Sequence, residues 1–424
     1  MKTADGEDAV RHKAAPSGAP GRAGKTDTRI RAGIVGTGFA ASAHADALAR
    51  VRAARLLAVA GSSEAKARAA ADRFGAERAY SCYRALLADP DVDAVHNCTP
   101  NDLHAEVNAA ALAAGKHLLS EKPLAIDSSQ TAALAQQAAT APGISGVCFN
   151  YRHYPLVAEA RMMIAAQEIG ALLLVHGGYL QDWLLFADDW NWRLESRKAG
   201  PARAAGDIGS HWLDLVQYVT GDEVVAVMAD LSRVHAERWR PWNRSHTFEQ
   251  AAGPRDEKGA GNGDPQLVRV DTEDAASILL RFASGARGAV TVSQVSAGWK
   301  NRLFFEIDAA RASLAWDQEK PNRLRIGWRD RANAELVRDP ALLRPDAAAL
   351  AHYPGGHQEG WPDALRNLVE DFYRAAAARD RGQPCEGAFA TFSSAHQIAL
   401  IIDAILSSHR CGGWAEVERT MRKG

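Results

Sequence analysis

The chain has 424 residues, 47% hydrophobic and 24% charged, with 50 Lys and Arg against 51 Asp and Glu. That length allows two or more domains, and a formal charge of −1 gives no overall pull toward nucleic acid or an anionic lipid surface. No run approaches the roughly 18 apolar residues of a membrane-spanning helix, so a soluble, cytoplasmic protein without nucleic-acid or membrane partners is expected.

The five cysteines (Cys82, Cys98, Cys148, Cys385 and Cys411) form no CxxC pair, and three lie in or beside apolar runs. Buried reduced thiols and no metal site are expected. Residues 1–28 lack the apolar stretch of a signal peptide and read as a disordered tail. "IRAGIVGTGFA" (30–40) is then a short strand entering a glycine turn, and "ASAHADALAR" (41–50) continues as helix. "RLLAVAG" (55–61) is a second strand, followed by a helix at 64–74 that Gly75 stops. "DAVHNCTP" (93–100) is a strand closed by Pro100, residues 102–114 a helix ended by Gly115, and "HLLSEKP" (117–123) a strand again. A helix at 128–140 and a strand at 144–150 complete the series. Strands alternating with helices predict a parallel, doubly wound sheet over 29–150.

The pattern then changes. After a helix at 155–168 come six strand-like runs, several joined by Gly-containing turns such as "ASGARG" (283–288). A helix at 207–219 interrupts them. Residues 151–424 are therefore expected to form an α+β domain on a large, mostly antiparallel open sheet. Residues 235–268, polar and Gly-rich, read as a long surface loop. Helices at 363–378 and 391–408 are expected to pack back across the domain junction.

The chemistry concentrates at three places. In "GIVGTGFAAS", Gly36 permits a tight turn, Gly38 lets the backbone approach a pyrophosphate, and small Ala41 lets helix and strand pack closely. This is a dinucleotide site at a helix start. At the end of the second strand Gly61, Ser62 and Ser63 stand where an acid would grip the adenosine ribose, and Ser62, Ser63 and Lys66 could hold a 2′-phosphate. NAD and NADP both remain open.

Lys122 precedes Pro123, which bars helix and holds the lysine extended at a strand end. In "GDIGSHWLDLVQYVTG" (206–221), Ile208, Trp212, Leu215 and Val219 make a core stripe. Asp207 and His211, four apart, share another face. An isolated DxxxH is as readily a helix-starting aspartate with a surface histidine. Joined to a lysine and a dinucleotide it makes a hydride-transfer set: His211 as base, Asp207 orienting it, and Lys122 stabilising the alkoxide.

"GIVGTGFAASAHADAL", "NCTPNDLHAEVNAAALAAGKHLLSEKPLA" and "GDIGSHWLDL" resemble, in order and spacing, the glucose–fructose oxidoreductase / inositol dehydrogenase / MocA family. The resemblance is strong over residues 30–220. It implies an N-terminal Rossmann domain, a homodimer or homotetramer, and a pyrophosphate held by Gly36, Thr37, Gly38, Phe39 and Ala40. It further implies that Thr99, Pro100, Asn101 and His104 line the nicotinamide side, Glu121 reaches its ribose, and Arg152 sits near cofactor and substrate. Lys122, Asp207 and His211 are implied as the catalytic set. Within the family, "GYLQDWLLFADDWNWRL" is most similar to the levoglucosan dehydrogenase-like sugar dehydrogenases.

Sugar rings present apolar C–H faces and a rim of hydroxyls, which suit aromatic stacking with polar forks. Gln181, Trp183, Trp190, Trp192 and Arg193 supply both, although any one of these tryptophans could be core. His357, Glu359 and Trp361 could add a wall or merely enter a helix. The expected activity is NAD(P)-dependent oxidation of a sugar, anhydrosugar or cyclic-polyol hydroxyl. Two alternatives stay open: a glycosidase working through a transient 3-keto sugar, and a non-catalytic cofactor sensor, against which the presence of both Lys122 and His211 counts.

Overall fold

The structure, a computed structural model, describes residues 28–241 and 265–418. The expected tail, apart from Thr28, and the middle of the expected 235–268 loop lie outside the described residues.

Six strands open the chain: β1 (Ile30–Val35), β2 (Ala54–Ala60), β3 (Arg78–Tyr80), β4 (Ala94–Asn97), β5 (His117–Ser120) and β6 (Ser145–Val147). They pair in parallel in the order β3-β2-β1-β4-β5-β6. Between them run α1 (Phe39–Ala49), α2 (Glu64–Phe74), α3 (Tyr83–Ala88), α4 (Asn101–Ala113) and α5 (Ser128–Ala138). The local chemistry explains the boundaries. Ser63 caps α2 by accepting from the Lys66 N–H, Gly75 ends it at φ 72, and Asp127 caps α5. Neither β3 nor α3 was expected, since three and six residues are too short to show a period.

The second half begins with α6 (Pro155–Ala165), β7 (Leu172–Leu180), α7 (Ser196–Ala199) and α8 (Ser210–Thr220). Next come β8 (Val224–Ser232), β9 (Glu237–Arg240), β10 (Gln266–Arg269), β11 (Ala275–Phe282), β12 (Arg287–Ser293) and β13 (Arg302–Ala309). It continues with β14 (Ala312–Asp317), β15 (Arg323–Trp328), β16 (Ala334–Val337), α9 (Pro345–Ala348), α10 (Trp361–Asp380), α11 (Phe392–Cys411) and β17 (Ala415–Glu416). Nine strands make one sheet, β16-β15-β14-β13-β7-β12-β11-β8-β17, antiparallel except for β7 against β12. The expected loop at 235–268 is instead strand at both ends, where β9 pairs with β10.

Three features place the site. The C-terminal helices return to the first sheet, α10 lying against α1 and α11 against α5. The expected helix at 207–219 is a π-turn over Ala205–Gly209 leading into α8. And α8 has no open face: Ser210 to Val216 are all buried, the Ile208, Trp212, Leu215 and Val219 stripe included.

Candidate active site

At the β1–α1 turn Gly36 adopts φ 128, and a Cβ there would come within 2.4 Å of the Cys98 carbonyl oxygen, so only glycine fits. Gly38 differs, because a Cβ there would meet nothing within 4 Å. No side chain caps α1, so its first-turn N–H groups and the open space over Gly38 form a cradle for a pyrophosphate. Gly36 and Gly38 leave room for the pyrophosphate that the family resemblance implies here, and Thr37, Phe39 and Ala40 lie on the same turn. Gly61 packs tightly, its would-be Cβ 2.9 Å from the Ala67 nitrogen. Ser62 and Ser63 stand exposed at the same strand end, with Lys66 Nζ 3.4 Å from Ser62 Oγ. Arg73, not anticipated near this turn, donates to the Thr37 carbonyl at 2.9 Å. A carboxylate at position 62 would face a 2′-phosphate, so Ser62→Asp should raise the kcat/KM ratio of NAD over NADP about tenfold. An unchanged ratio would mean that this turn does not meet the ribose.

A cavity of about 310 Å³ opens beside α1. Phe39, Ala40 and Ala43 line one side, and Glu121, Lys122, Asp207 and His211 the other. Lys122 Nζ donates to Asp207 Oδ1 at 2.7 Å and to the Asp207 carbonyl at 2.8 Å. Gln294 Nε2 donates to Asp207 Oδ2 at 3.0 Å, and Arg193 Nε lies 3.3 Å from Oδ1. Gln294 is in turn fixed by buried Arg203, whose Nη1 donates to Gln294 Oε1 at 2.9 Å. Burial alone would raise the Asp207 carboxyl, but the Lys122 and Arg193 charges hold it well below the usual carboxylate range.

His211 departs from expectation. Its Nδ1 is buried without a hydrogen-bond partner among the described residues, whereas the Asp207 carboxylate is committed to Lys122, Gln294 and Arg193. The reason is the π-turn, which breaks the α-helical register that a four-residue spacing presumes. Asp207 therefore orients Lys122, and it reaches His211 only through its charge. Three rings surround the imidazole: Phe149 and Tyr151 edge-on at 5.5 and 5.0 Å, and Tyr179 at 6.1 Å. This burial, with the neighbouring Lys122 ammonium, pushes His211 down to about 3. It is a neutral imidazole at physiological pH.

Of the proposed sugar wall, Gln181, Trp183 and Arg193 line the cavity, as does Trp361 from the start of α10. Tyr151, Tyr179, Lys300, Asn301 and Asn150 join them, none of which the sequence singled out. Tyr151 and Tyr179 hydroxyls meet at 2.7 Å, and Tyr179 donates to Asn301 Oδ1 at 2.6 Å. Gln181 Nε2 donates to the same oxygen at 2.9 Å, and Trp183 Nε1 donates to Gln181 Oε1 at 2.8 Å. Asn150 Nδ2 is buried without a partner among the described residues. These residues come from β7, the β6–α6 connection and the β12–β13 connection.

Other expected residues lie off this cavity. Trp192 does not line the cavity but lies under the Arg193 guanidinium at 4.5 Å. Trp190 packs on the buried cluster of Leu184, Leu194 and Val270. Arg152 turns to the buried Asp214, donating from Nε to Oδ2 at 2.7 Å, because that carboxylate needs a countercharge. Thr99, Pro100, Asn101 and His104 do not line the cavity either. The His104 ring spans the carbonyls of Pro123 (2.6 Å) and Thr99 (2.9 Å) and so ties the Lys122–Pro123 turn to the end of β4, and Asn101 donates to the Ala199 carbonyl. Glu359 pairs with Arg338 at 3.1 Å and the His357 carbonyl accepts from the same arginine, which leaves only Trp361 of that loop at the cavity.

Residues 30–149 match the model of an oxidoreductase family with an NAD-binding Rossmann fold, and residues 157–315 match the GFO/IDH/MocA C-terminal domain. Levoglucosan dehydrogenase of Pseudarthrobacter phenanthrenivorans is 32% identical over 407 residues, spanning 92% of this chain and 98% of that one. Among solved structures, an oxidoreductase domain protein from Kribbella flavida superposes with a TM-score of 0.81 at 30% identity, over 93% of this chain and 100% of that one. A levoglucosan dehydrogenase in complex with NADH and L-sorbose gives 0.80 at 30% identity with the same coverage. With both halves matched and a relative aligned over nearly its whole length, the chain belongs to the GFO/IDH/MocA family of NAD-binding oxidoreductases.

Proposed function

We propose that the protein oxidises a secondary hydroxyl of a sugar, anhydrosugar or cyclic polyol, with NAD or NADP as the hydride acceptor. The observation that carries this reading is the placing of Lys122, paired to Asp207, and the caged neutral His211 in one cavity with the first turn of α1. A bound nicotinamide coenzyme would supply the hydride acceptor. In the proposed reaction the substrate C–H bond breaks with its electron pair, and His211 takes the hydroxyl proton. Lys122 donates to the oxygen as negative charge develops, and the C–O bond becomes a carbonyl. Gln181, Trp183, Arg193 and Trp361, with the Tyr151–Tyr179–Asn301 network, offer aromatic faces and amide forks to a hydroxyl-rimmed ring. Trp192 would act only through Arg193. Levoglucosan dehydrogenase, named for a sugar anhydride and solved with a ketose, supports a ring-shaped polyhydroxy substrate. No described helix is long and apolar enough to cross a membrane. A cytoplasmic homo-oligomer belongs to the same proposal.

The test is a panel of sugars, anhydrosugars and inositols offered with NAD and with NADP separately, following reduced coenzyme by absorbance. Net reduction with at least one substrate class is expected. Glycoside cleavage without net reduction would instead select the transient 3-keto route, and no reaction with any class would remove the dehydrogenase reading.

A further inference from the structure

Four polar side chains cross the otherwise apolar layer between the first sheet and α10. The Tyr373 hydroxyl is 2.8 Å from His96 Nε2, His96 Nδ1 is 2.7 Å from His44 Nδ1, and His44 Nε2 is 3.0 Å from Glu121 Oε1. They come from α10, β4, α1 and the end of β5 in turn, and the first three have no exposed surface. Only Glu121 reaches the cavity, where its other oxygen accepts the Lys122 backbone N–H at 3.1 Å. Ile34, Ala45, Leu119 and Phe372 belong to the same buried layer. A layer of this kind is built more simply from apolar residues, since each buried polar group costs free energy unless it is bonded. The line is bonded end to end, and it terminates on one carboxylate.

We propose that Tyr373, His96 and His44 are positioning residues that hold the Glu121 carboxylate aimed into the cavity, and so set the affinity for the hydroxyls of the coenzyme's ribose. This rests on the dehydrogenase reading. The two facing Nδ1 atoms share one proton, so each imidazole fixes the other's orientation, and Tyr373 fixes the outer one. With His96 Nδ1 donating, His44 Nδ1 accepts and its Nε2–H falls on Glu121, while the Tyr373 hydroxyl donates to His96 Nε2. Cys98 and Cys148 flank His44, and burial raises both thiols, Cys148 to about 12, so neither adds a competing anion. Burial opposes ionisation of Glu121 as well, but the His44 bond and the Lys122 charge hold it at about 2. The same helix that carries Tyr373 places Trp361 on the cavity wall, so the seating of α10 and the aim of Glu121 are linked.

The experiment measures NADH dissociation constants by protein-to-coenzyme fluorescence transfer, kcat at saturating coenzyme, and Tm. The variants are Tyr373→Phe, His44→Leu, His44→Gln, Glu121→Gln, and Tyr373→Phe with Glu121→Gln. Tyr373→Phe and His44→Leu should each weaken NADH about tenfold, the worth of a charge-assisted hydrogen bond, with the loss in affinity rather than kcat. His44→Gln, which keeps an N–H for Glu121, should recover most of it. In the Glu121→Gln background Tyr373→Phe should add little. If Glu121→Gln weakens NADH while Tyr373→Phe and His44→Leu only lower Tm, the positioning role is overturned and the dehydrogenase reading stands. If Glu121→Gln leaves NADH affinity unchanged, the carboxylate does not meet the coenzyme and the positioning role falls with it, whereas the dehydrogenase reading falls only if no substrate class is oxidised.

Discussion

Lys122→Met should lower kcat for alcohol oxidation by about two to three orders of magnitude, the usual loss when one donor to a developing oxyanion is removed. Coenzyme affinity should stay within a few-fold, because the turn over Gly38 and the first turn of α1 are untouched. Two effects must be separated. Lys122 and Asp207 are both largely buried, and removing one partner of such a pair costs about 3–5 kcal/mol when nothing replaces it. Here Arg193 and Gln294 still face the carboxylate, so the stability loss should fall below that range. The double variant Lys122→Met with Asp207→Asn removes the orphaned charge, and it should recover most of the Tm while kcat stays lost. Recovery of both would make the pair structural only. A large loss of coenzyme binding in Lys122→Met would move the lysine to a coenzyme role.

Much of this site can be read from the sequence because the features that carry it are local. A strand, Gly36 and Gly38 at fixed spacing and a following helix define the coenzyme turn within a dozen residues, and Lys122 is marked by its proline. What the sequence hides is set by tertiary contact. The DxxxH spacing promised an Asp207–His211 couple, and a single π-turn redirected the aspartate to Lys122. Gln294 and Arg203, which fix that aspartate, lie at one end of β12 and in the segment before α8, about ninety residues apart. The tryptophans of 183–192 look equivalent in composition, yet Trp183 and Trp190 pack on one small core, of the three only Trp183 also lines the cavity, and Trp192 supports an arginine. The loop that carries all three is fixed from far along the chain: Arg238 on β9 donates to the carbonyls of Leu184 and Phe186. Residue type announced the chemistry, and long-range packing assigned the roles.

His211→Asn should lower kcat by about two to four orders of magnitude, the range for loss of a general base, and the pH profile should carry the argument. A histidine titrating near neutrality would make wild-type oxidation fall as pH drops through about 6.5. The ring cage and Lys122 instead hold His211 at about 3, so the base form persists well below neutrality. Oxidation should therefore show no His211 limb between about pH 5 and 8. The sign for stability follows from the same shift. Between about 6.5 and about 3 the unfolded imidazole binds a proton that the native one refuses, so the native state loses stability as pH falls through that window. By pH 5 the linkage amounts to about 2 kcal/mol, and it vanishes above neutrality. Asparagine carries no such proton, so the wild-type Tm should fall more steeply than that of His211→Asn between pH 7 and pH 5. Deuterated substrate confirms that hydride transfer is observed: an isotope effect on kcat should appear in both proteins. An activity limb near pH 6.5 that disappears in His211→Asn would show that the imidazole is solvated and titrates normally in the working enzyme. Parallel Tm curves would say the same of the resting protein. Full activity in His211→Asn would pass the role of base to Lys122, whose ammonium the proposed reaction already places on the substrate oxygen.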